Sequence, residues 1–374
     1  MHRDEIGVEP LQTLKKRIDS ILCAVISVHF KKRHGSAQNI AGPASDRKHT
    51  LTLGEINMLD SPSLLEKEFT EDIVCELLPE WKDLDIKISQ LSGGITNKLY
   101  RIRSEAGDYT VRIYGDQTEL FIDREYEAQT IREMAKIGVG SNLLKFMPEI
   151  GVTIVEFIGD SIVLTNDHFL DKALYSKIVE PIRKIHDSGV QLPKMFNPLV
   201  EVNKMFTILN NLKAEYPEFD IAGTIDRLEK LTNIIDIPES EYTACHNDLL
   251  ADNFILINED ARHKYDSPMY IIDWEYGGMA PRYYDMGDMF QEILVPREAE
   301  KDIVAQYCKG DNFEQTLYYI DLFKPFPDIY WFLWSLIQLN ISKIEFDYYN
   351  YGKVKYDNAV GNMDFIKKEH GVAV

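Results

Sequence analysis

Apolar positions follow three regimes along the chain. Over 61–80 they recur at helical spacing (Leu64, Leu65, Phe69, Ile73 and Leu77) after a Ser61-Pro62 start, which predicts a helix. From Ile86 the period drops to two. Ile86 and Ile88 alternate, Leu99 to Ile102 follow the interruption at Gly93-Gly94, and Tyr109, Val111 and Ile113 alternate again, as half-buried strands do. A helix is predicted from about Asp123, with Ala128, Ile131 and Ala135 on one face and Gly138 at its end, and 153–158 reads as a strand closed by Gly159. Beyond it the chain reads as helix, apart from two short apolar runs at Phe254–Ile257 and 269–272. Strands first and helices afterwards predict an α+β protein with an antiparallel-sheet N-lobe over 61–158 and a mostly helical C-lobe over 159–374. Residues 1–60 read as an extension. Its apolar run at 18–30 contains Asp19, is flanked by basic residues and is too short to span a bilayer. An amphipathic helix is the simpler reading of that run, and a membrane-surface contact the other. The polar stretch 35–50 reads as a linker.

Length and charge narrow the picture. A chain of 374 residues is long enough for two lobes, and a net charge of −20 repels phosphate backbones, which argues against nucleic acid and favours a cationic ligand. The four cysteines (Cys23, Cys75, Cys245, Cys308) form no CxxC pair, so a reducing, cytoplasmic setting is expected and stable membrane insertion is not.

The chemistry concentrates in Cys245-His246-Asn247-Asp248-Leu249-Leu250-Ala251-Asp252-Asn253, followed by the two apolar runs and then Asp273-Trp274-Glu275. Two short strands joined by one loop make an antiparallel hairpin, which sets Asn253 beside Asp273 at one end. An amide oxygen and one or two carboxylates form a hard-oxygen set suited to Mg²⁺ beside phosphates. Asp248, on the loop before the first strand, is placed to accept a proton from a hydroxyl, with His246 bracing the loop and Asp252 a solvated acid. In the N-lobe, Gly93 and Gly94, with Thr96 and Asn97, fit either a phosphate-covering loop or a plain hairpin turn. Arg112 follows on a strand, and an ion pair with Glu125 at the start of the next helix is expected.

His-x-Asp-x4-Asn followed by a strand-flanked Asp resembles the catalytic loop and metal aspartate of protein-kinase-like phosphotransferases. More specifically, Gly-Gly-Ile-Thr-Asn-Lys-Leu (93–99), Val-Arg-Ile-Tyr-Gly (111–115), Thr-Glu-Leu-Phe-Ile-Asp-Arg-Glu (118–125), Cys-His-Asn-Asp (245–248), Ile-Asp-Trp-Glu-Tyr (272–276) and Tyr-Asp-Met-Gly-Asp (284–288) resemble the choline/ethanolamine kinase family over about 86–356. The resemblance implies a bilobal protein-kinase-like fold and transfer of the γ-phosphoryl of ATP to choline or ethanolamine, the first step towards phosphatidylcholine or phosphatidylethanolamine. It implies Asp248 as base within the His246 loop and Asn253 and Asp273 as Mg²⁺ ligands, assisted by Glu275. Asp285 would brace the loop, and Gly93, Gly94, Thr96, Asn97, Arg112 and Glu125 would serve the nucleotide. A hinge from Glu156 to Ile158 would meet adenine.

Ten aromatics in the 31 positions 326–356 fit either a packed core helix or, given the motifs above, an acceptor site holding an ammonium group by cation–π attraction. Trp331 and Trp334 lie on one helical face, and the resemblance adds Tyr276, Glu292, Phe346 and Tyr351, with Glu292 supplying anionic charge to the amine. The chain departs from eukaryotic choline kinases in the non-aromatic Ile-Leu-Val-Pro-Arg after Glu292. Residues 118–124 lean towards ethanolamine kinases, and 341–346 towards choline kinases. An aminoglycoside-type hydroxyl kinase on the same fold and an inactive nucleotide- or choline-binding module are the alternatives, and a homodimer is left open.

Overall fold

A computed structural model describes residues 64–91, 97–115, 118, 121–309, 312–342 and 344–373. The predicted N-terminal helix, the linker, and Gly93, Gly94 and Thr96 lie outside the described residues. The segment expected to be one helix over 61–80 is broken. A 3₁₀ turn at Leu64–Glu66 precedes α1 (Glu71–Leu77), and a second turn follows at Pro79–Trp81. Thr70 is extended (φ −115°, ψ 170°) where Glu71 and Asp72 open the helix, and Phe69 stacks on Tyr100 at 4.4 Å instead of continuing a helical face.

Alternation then builds β1 (Lys87–Leu91), β2 (Lys98–Ser104) and β3 (Gly107–Ile113). Next come α2 (Arg124–Lys136), β4 (Leu143–Met147) and β5 (Val152–Glu156). The five strands form an antiparallel sheet ordered β1-β2-β3-β5-β4, with Val111 opposite Ile154 and Arg112 opposite Thr153. Ile102, Val111 and Ile154, wholly buried, pack with Val74, Leu77 and Trp81 into a core of their own.

The second, larger core is helical. The chain passes through β6 (Ser161–Val163), α3 (Tyr175–His186), α4 (Pro198–Asn211), α5 (Ile221–Ile234) and β7 (Tyr242–Cys245). The expected hairpin follows as β8 (Phe254–Ile257) and β9 (Met269–Ile271), antiparallel with Phe254 opposite Ile271, and β6 adds to its edge. Then come β10 (Gly278–Pro281), antiparallel to β7, and α6 (Arg282–Ile293), α7 (Arg297–Cys308), α8 (Phe313–Phe323), α9 (Pro325–Ile341) and α10 (Tyr348–His370). Every residue of α9 from Pro325 to Gln338 is buried, as a helix apolar all round must be. Among the described residues no helix is long and apolar enough to cross a membrane.

Helices α9 and α10 cross closely because Gly352 lacks a side chain there, and a Cβ at that position would strike the Ser335 hydroxyl, which donates to Phe332 O at 2.7 Å. Gly352→Ala is expected to destabilise the protein by ~1–3 kcal/mol through overpacking. Adding Ser335→Ala should recover part of that loss, as read from thermal or denaturant unfolding midpoints.

Candidate active site

The loop leaving β7 has no regular hydrogen-bond ladder, so its backbone donors need other partners. Helix α6 supplies them. Asp285 accepts from the His246 N–H (3.0 Å) and the Asn247 N–H (2.7 Å), and Asp288, three residues on and so on the same helical face, accepts from the Leu249 N–H at 2.7 Å. These anchors hold Asn247 at φ 67°, a left-handed conformation uncommon outside glycine, while its side-chain amide donates to Tyr276 O at 3.0 Å. Asp285 also meets His186 Nε2 at 3.0 Å, and His186 Nδ1 meets the Tyr307 hydroxyl at 2.7 Å. Burial works to raise the Asp285 pKa, but the bond and charge of His186 and the loop donors prevail and hold it below the ordinary carboxylate value.

The held loop presents Asp248, 7% exposed. Burial raises its pKa well above the usual range, and the nearby carboxyls of Asp288, Glu292, Asp273 and Glu275 raise it further. Such a carboxyl is a stronger base when ionised than one free in water. His246 points the other way. It is fully buried, contacts Ile272 O through Nε2 at 2.8 Å and lies edge-on to Trp274 at 4.5 Å, with burial lowering its pKa towards the neutral ring. Its contacts brace the loop against the hairpin.

The hairpin brings Asn253 and Asp273 to one end, where Ile272 N–H donates to Asn253 O at 3.0 Å. Asn253 Nδ2 donates to Asp248 O at 2.8 Å, which ties the amide to the loop. Asp273, left-handed at φ 67°, receives Arg112 of β3 at 2.5 Å. Arg112 does not pair with Glu125, the partner expected from the sequence. Its ion-pair partners are Glu127, Asp273 and Glu275. At 3.6 residues per turn Glu125 lies about 200° round the helix from Glu127. The buried face of α2 runs through Glu127, Ile131 and Met134, while Glu125 sits exposed beside the Asp123 cap.

Arg124, which the sequence reading left without a role, lies 2.7 Å from Glu127 and 3.0 Å from Glu275. Asn97 bridges Gly115 N–H (3.2 Å) and Glu275 (3.4 Å). Glu127, Asp273 and Glu275 can each bring one oxygen within 4.8 Å of the others. Oxygen donors with neither thiol nor imidazole among them suit a hard divalent cation. At the expected hinge, Glu156 is exposed and engages Asn142 through both its N–H (2.8 Å) and its carboxylate (2.7 Å), and Ile158 packs on the hairpin residues Ile255, Ile257 and Tyr270.

On the far side of Asp248 the aromatic residues form a chain of rings. Tyr276 meets Trp331 at 5.1 Å, Trp331 meets Trp334 at 5.8 Å, Trp334 meets Tyr351 at 6.3 Å, and Tyr351 meets Phe346 at 5.9 Å. Both tryptophans are buried, and Phe346 is 39% exposed at the open end. Trp331 donates through its indole N–H to Asp288 at 3.0 Å, so the carboxylate that holds the loop also holds the ring. Asp288 is a site residue the sequence reading passed over, although its spacing from Asp285 on one helix was the signal. Glu292 differs from expectation in one respect, because its Oε1 is already paired with Lys355 Nζ at 2.6 Å. A separate cavity of about 280 Å³, lined by Asn197, Thr232, Asp236, Tyr242 and Phe323 among others, includes none of these groups.

A bilobal protein-kinase-like fold, with the Asp248 loop set between a strand arginine and a chain of aromatic rings, has the architecture of a phosphotransferase. The choline/ethanolamine kinase family model matches residues 88–360, and the chain belongs to that family. It is 26% identical over 317 residues to a probable ethanolamine kinase of Arabidopsis thaliana, covering 75% of this chain and 82% of that one. Among solved structures it resembles a choline/ethanolamine kinase family protein from Mesorhizobium loti (TM-score 0.64, 25% identity, 77% of this chain and 91% of that one). In fold it also resembles the choline kinase LicA of Streptococcus pneumoniae (TM-score 0.66, 24% identity, 79% and 99% covered), and LicA is known in complex with AMP.

Glu127→Gln is expected to lower kcat/KM for the nucleotide at least about tenfold, since it leaves two buried arginines short of a partner, whereas Glu125→Gln should stay within about twofold. Steady-state kinetics on both variants, beside the wild type, measure the contrast.

Proposed function

We propose that the protein transfers the γ-phosphoryl group of ATP to the hydroxyl of choline or ethanolamine, with Asp248 as general base. The observation that carries this reading is the double contact of Asp288, which fixes the loop of Asp248 and the indole of Trp331 with one carboxylate. Base and ammonium-holding rings are thereby set at a constant separation, and positioning of that kind can supply much of the acceleration of a phosphoryl transfer.

The hydroxyl oxygen forms a bond to the γ-phosphorus as the bond to the β–γ bridging oxygen breaks. ADP leaves, and the hydroxyl proton passes to Asp248. Arg112 and Arg124, both mostly buried beside Asp273 and Glu275, supply cationic charge for the phosphates. Asp273, Asn253 and Glu275 would hold Mg²⁺, which when bound neutralises phosphate charge. The AMP complex of LicA supports an adenine nucleotide as donor, and residues 156–158 would meet its base. The product would be phosphocholine or phosphoethanolamine, made in the cytoplasm as a phospholipid precursor. A pocket dominated by carboxylates, as a polycationic aminoglycoside would require, is disfavoured by the run of rings.

ADP release from Mg²⁺-ATP is the test, with choline, ethanolamine and kanamycin in parallel. Turnover is expected on an amino alcohol, and Asp248→Asn should lower it ~10²–10⁴-fold while ATP affinity changes little. Stimulation by kanamycin alone, or by nothing, would overturn the acceptor assignment. The pH profile provides a second check. Asp248 must be ionised to act, so kcat/KM should rise with pH along a limb above the ordinary carboxyl value of about 3.9. Asp288→Asn removes a neighbouring acid and should move that limb to lower pH.

A further inference from the structure

Glu292 is the acid expected to meet the substrate amine, yet both of its oxygens face groups of the protein. Oε1 lies 2.6 Å from Lys355 Nζ, and Oε2 lies 3.3 Å from the Tyr351 hydroxyl. The pair is dry, with side chains 2% exposed for Glu292 and 4% for Lys355. Lys355 is fixed further by a bond to Gln291 O at 2.9 Å, and Asp328, wholly buried, lies 4.0 Å away. Its ammonium also sits 5.6 Å from the centre of the Tyr351 ring, one of the rings of the acceptor pocket. Asp288, a second carboxylate beside the rings, is equally engaged, by Leu249 N–H and by Trp331.

This arrangement treats two kinds of ammonium differently. A primary ammonium carries three N–H donors, and losing water around them is costly unless acceptors replace it. With Glu292 and Asp288 both engaged, such a group would have to compete with Lys355. A trimethylammonium carries no N–H and is satisfied by aromatic faces alone.

We propose that Lys355 is a built-in counter-ion of Glu292 that biases the acceptor pocket towards N-methylated amino alcohols and against the primary amine of ethanolamine. The role is one of specificity, since Lys355 acts through Glu292. This inference rests on the amino-alcohol kinase reading above.

The test compares kcat/KM for ethanolamine, N-methylethanolamine, N,N-dimethylethanolamine and choline. In the wild-type enzyme the value should climb with each methyl group, and a flat or falling series would overturn the proposal with no variant needed. In Lys355→Met, the ratio of choline to ethanolamine should fall by about tenfold or more, through a lower KM for ethanolamine, as expected when a charged hydrogen-bond acceptor is released. Lys355→Arg should restore the wild-type ratio. A variant that turns over with its ratio unchanged would also overturn the role of Lys355, because a purely structural lysine would alter both substrates alike. Absence of turnover on all four alcohols would instead remove the kinase reading itself.

Discussion

The loop that carries Asp248 is held in place by a wholly buried carboxylate. Asp285 accepts two consecutive backbone N–H groups and a histidine, and in return the loop adopts a left-handed turn at Asn247 that a free chain would seldom visit. A buried charge of this kind is tolerable only when donors surround it, and once satisfied it stiffens what it touches. Asp288 extends the same device one helical turn further, to Leu249 and Trp331. One turn of α6 therefore fixes the Asp248 loop relative both to the helix and to the Trp331 ring.

Charge is paired locally in two clusters. Arg112 and Arg124 of the N-lobe lie among Glu127, Asp273 and Glu275. In the C-lobe, Lys355 lies between Glu292 and Asp328. Several buried carboxylates of this strongly acidic protein thereby gain cationic partners, while Asp248 stands apart, its carboxyl pKa raised by burial and by the acids around it. The consequence is competition, since any anion approaching these arginines meets acids already paired with them, and any cation approaching Glu292 meets Lys355.

Much of this was legible in the sequence, for reasons that differ by residue. The neighbourhood of Asn253 and Asp273 followed from the antiparallel hairpin, a topology that two short apolar runs and one loop all but dictate. The partner of Arg112 did not follow. Choosing between Glu125 and Glu127 requires knowing which face of α2 is buried, and Ala128 by itself pointed to the wrong one. Strand β4 was missed because Lys145 interrupts its apolar run, and it is stabilised by pairing with β5 that no local pattern announces. The helix expected over 61–80 failed because Phe69 found a ring on β2, a contact remote in sequence. Lys355 was equally invisible, since its partner Glu292 lies on another helix and only packing unites them.

Helix α10 contributes Tyr351 to the chain of rings and Lys355 to the ion pair with Glu292, and it packs along α9 through Gly352. Residues 348–370 leave the ribosome after every other part of the site. A nascent chain that has not reached α10 lacks Ala359, Met363 and Ile366, which are buried in the helical core, and leaves that core incomplete. Glu292 therefore stays without its lysine until α10 has been synthesised, and a shorter nascent chain carries that carboxylate uncompensated.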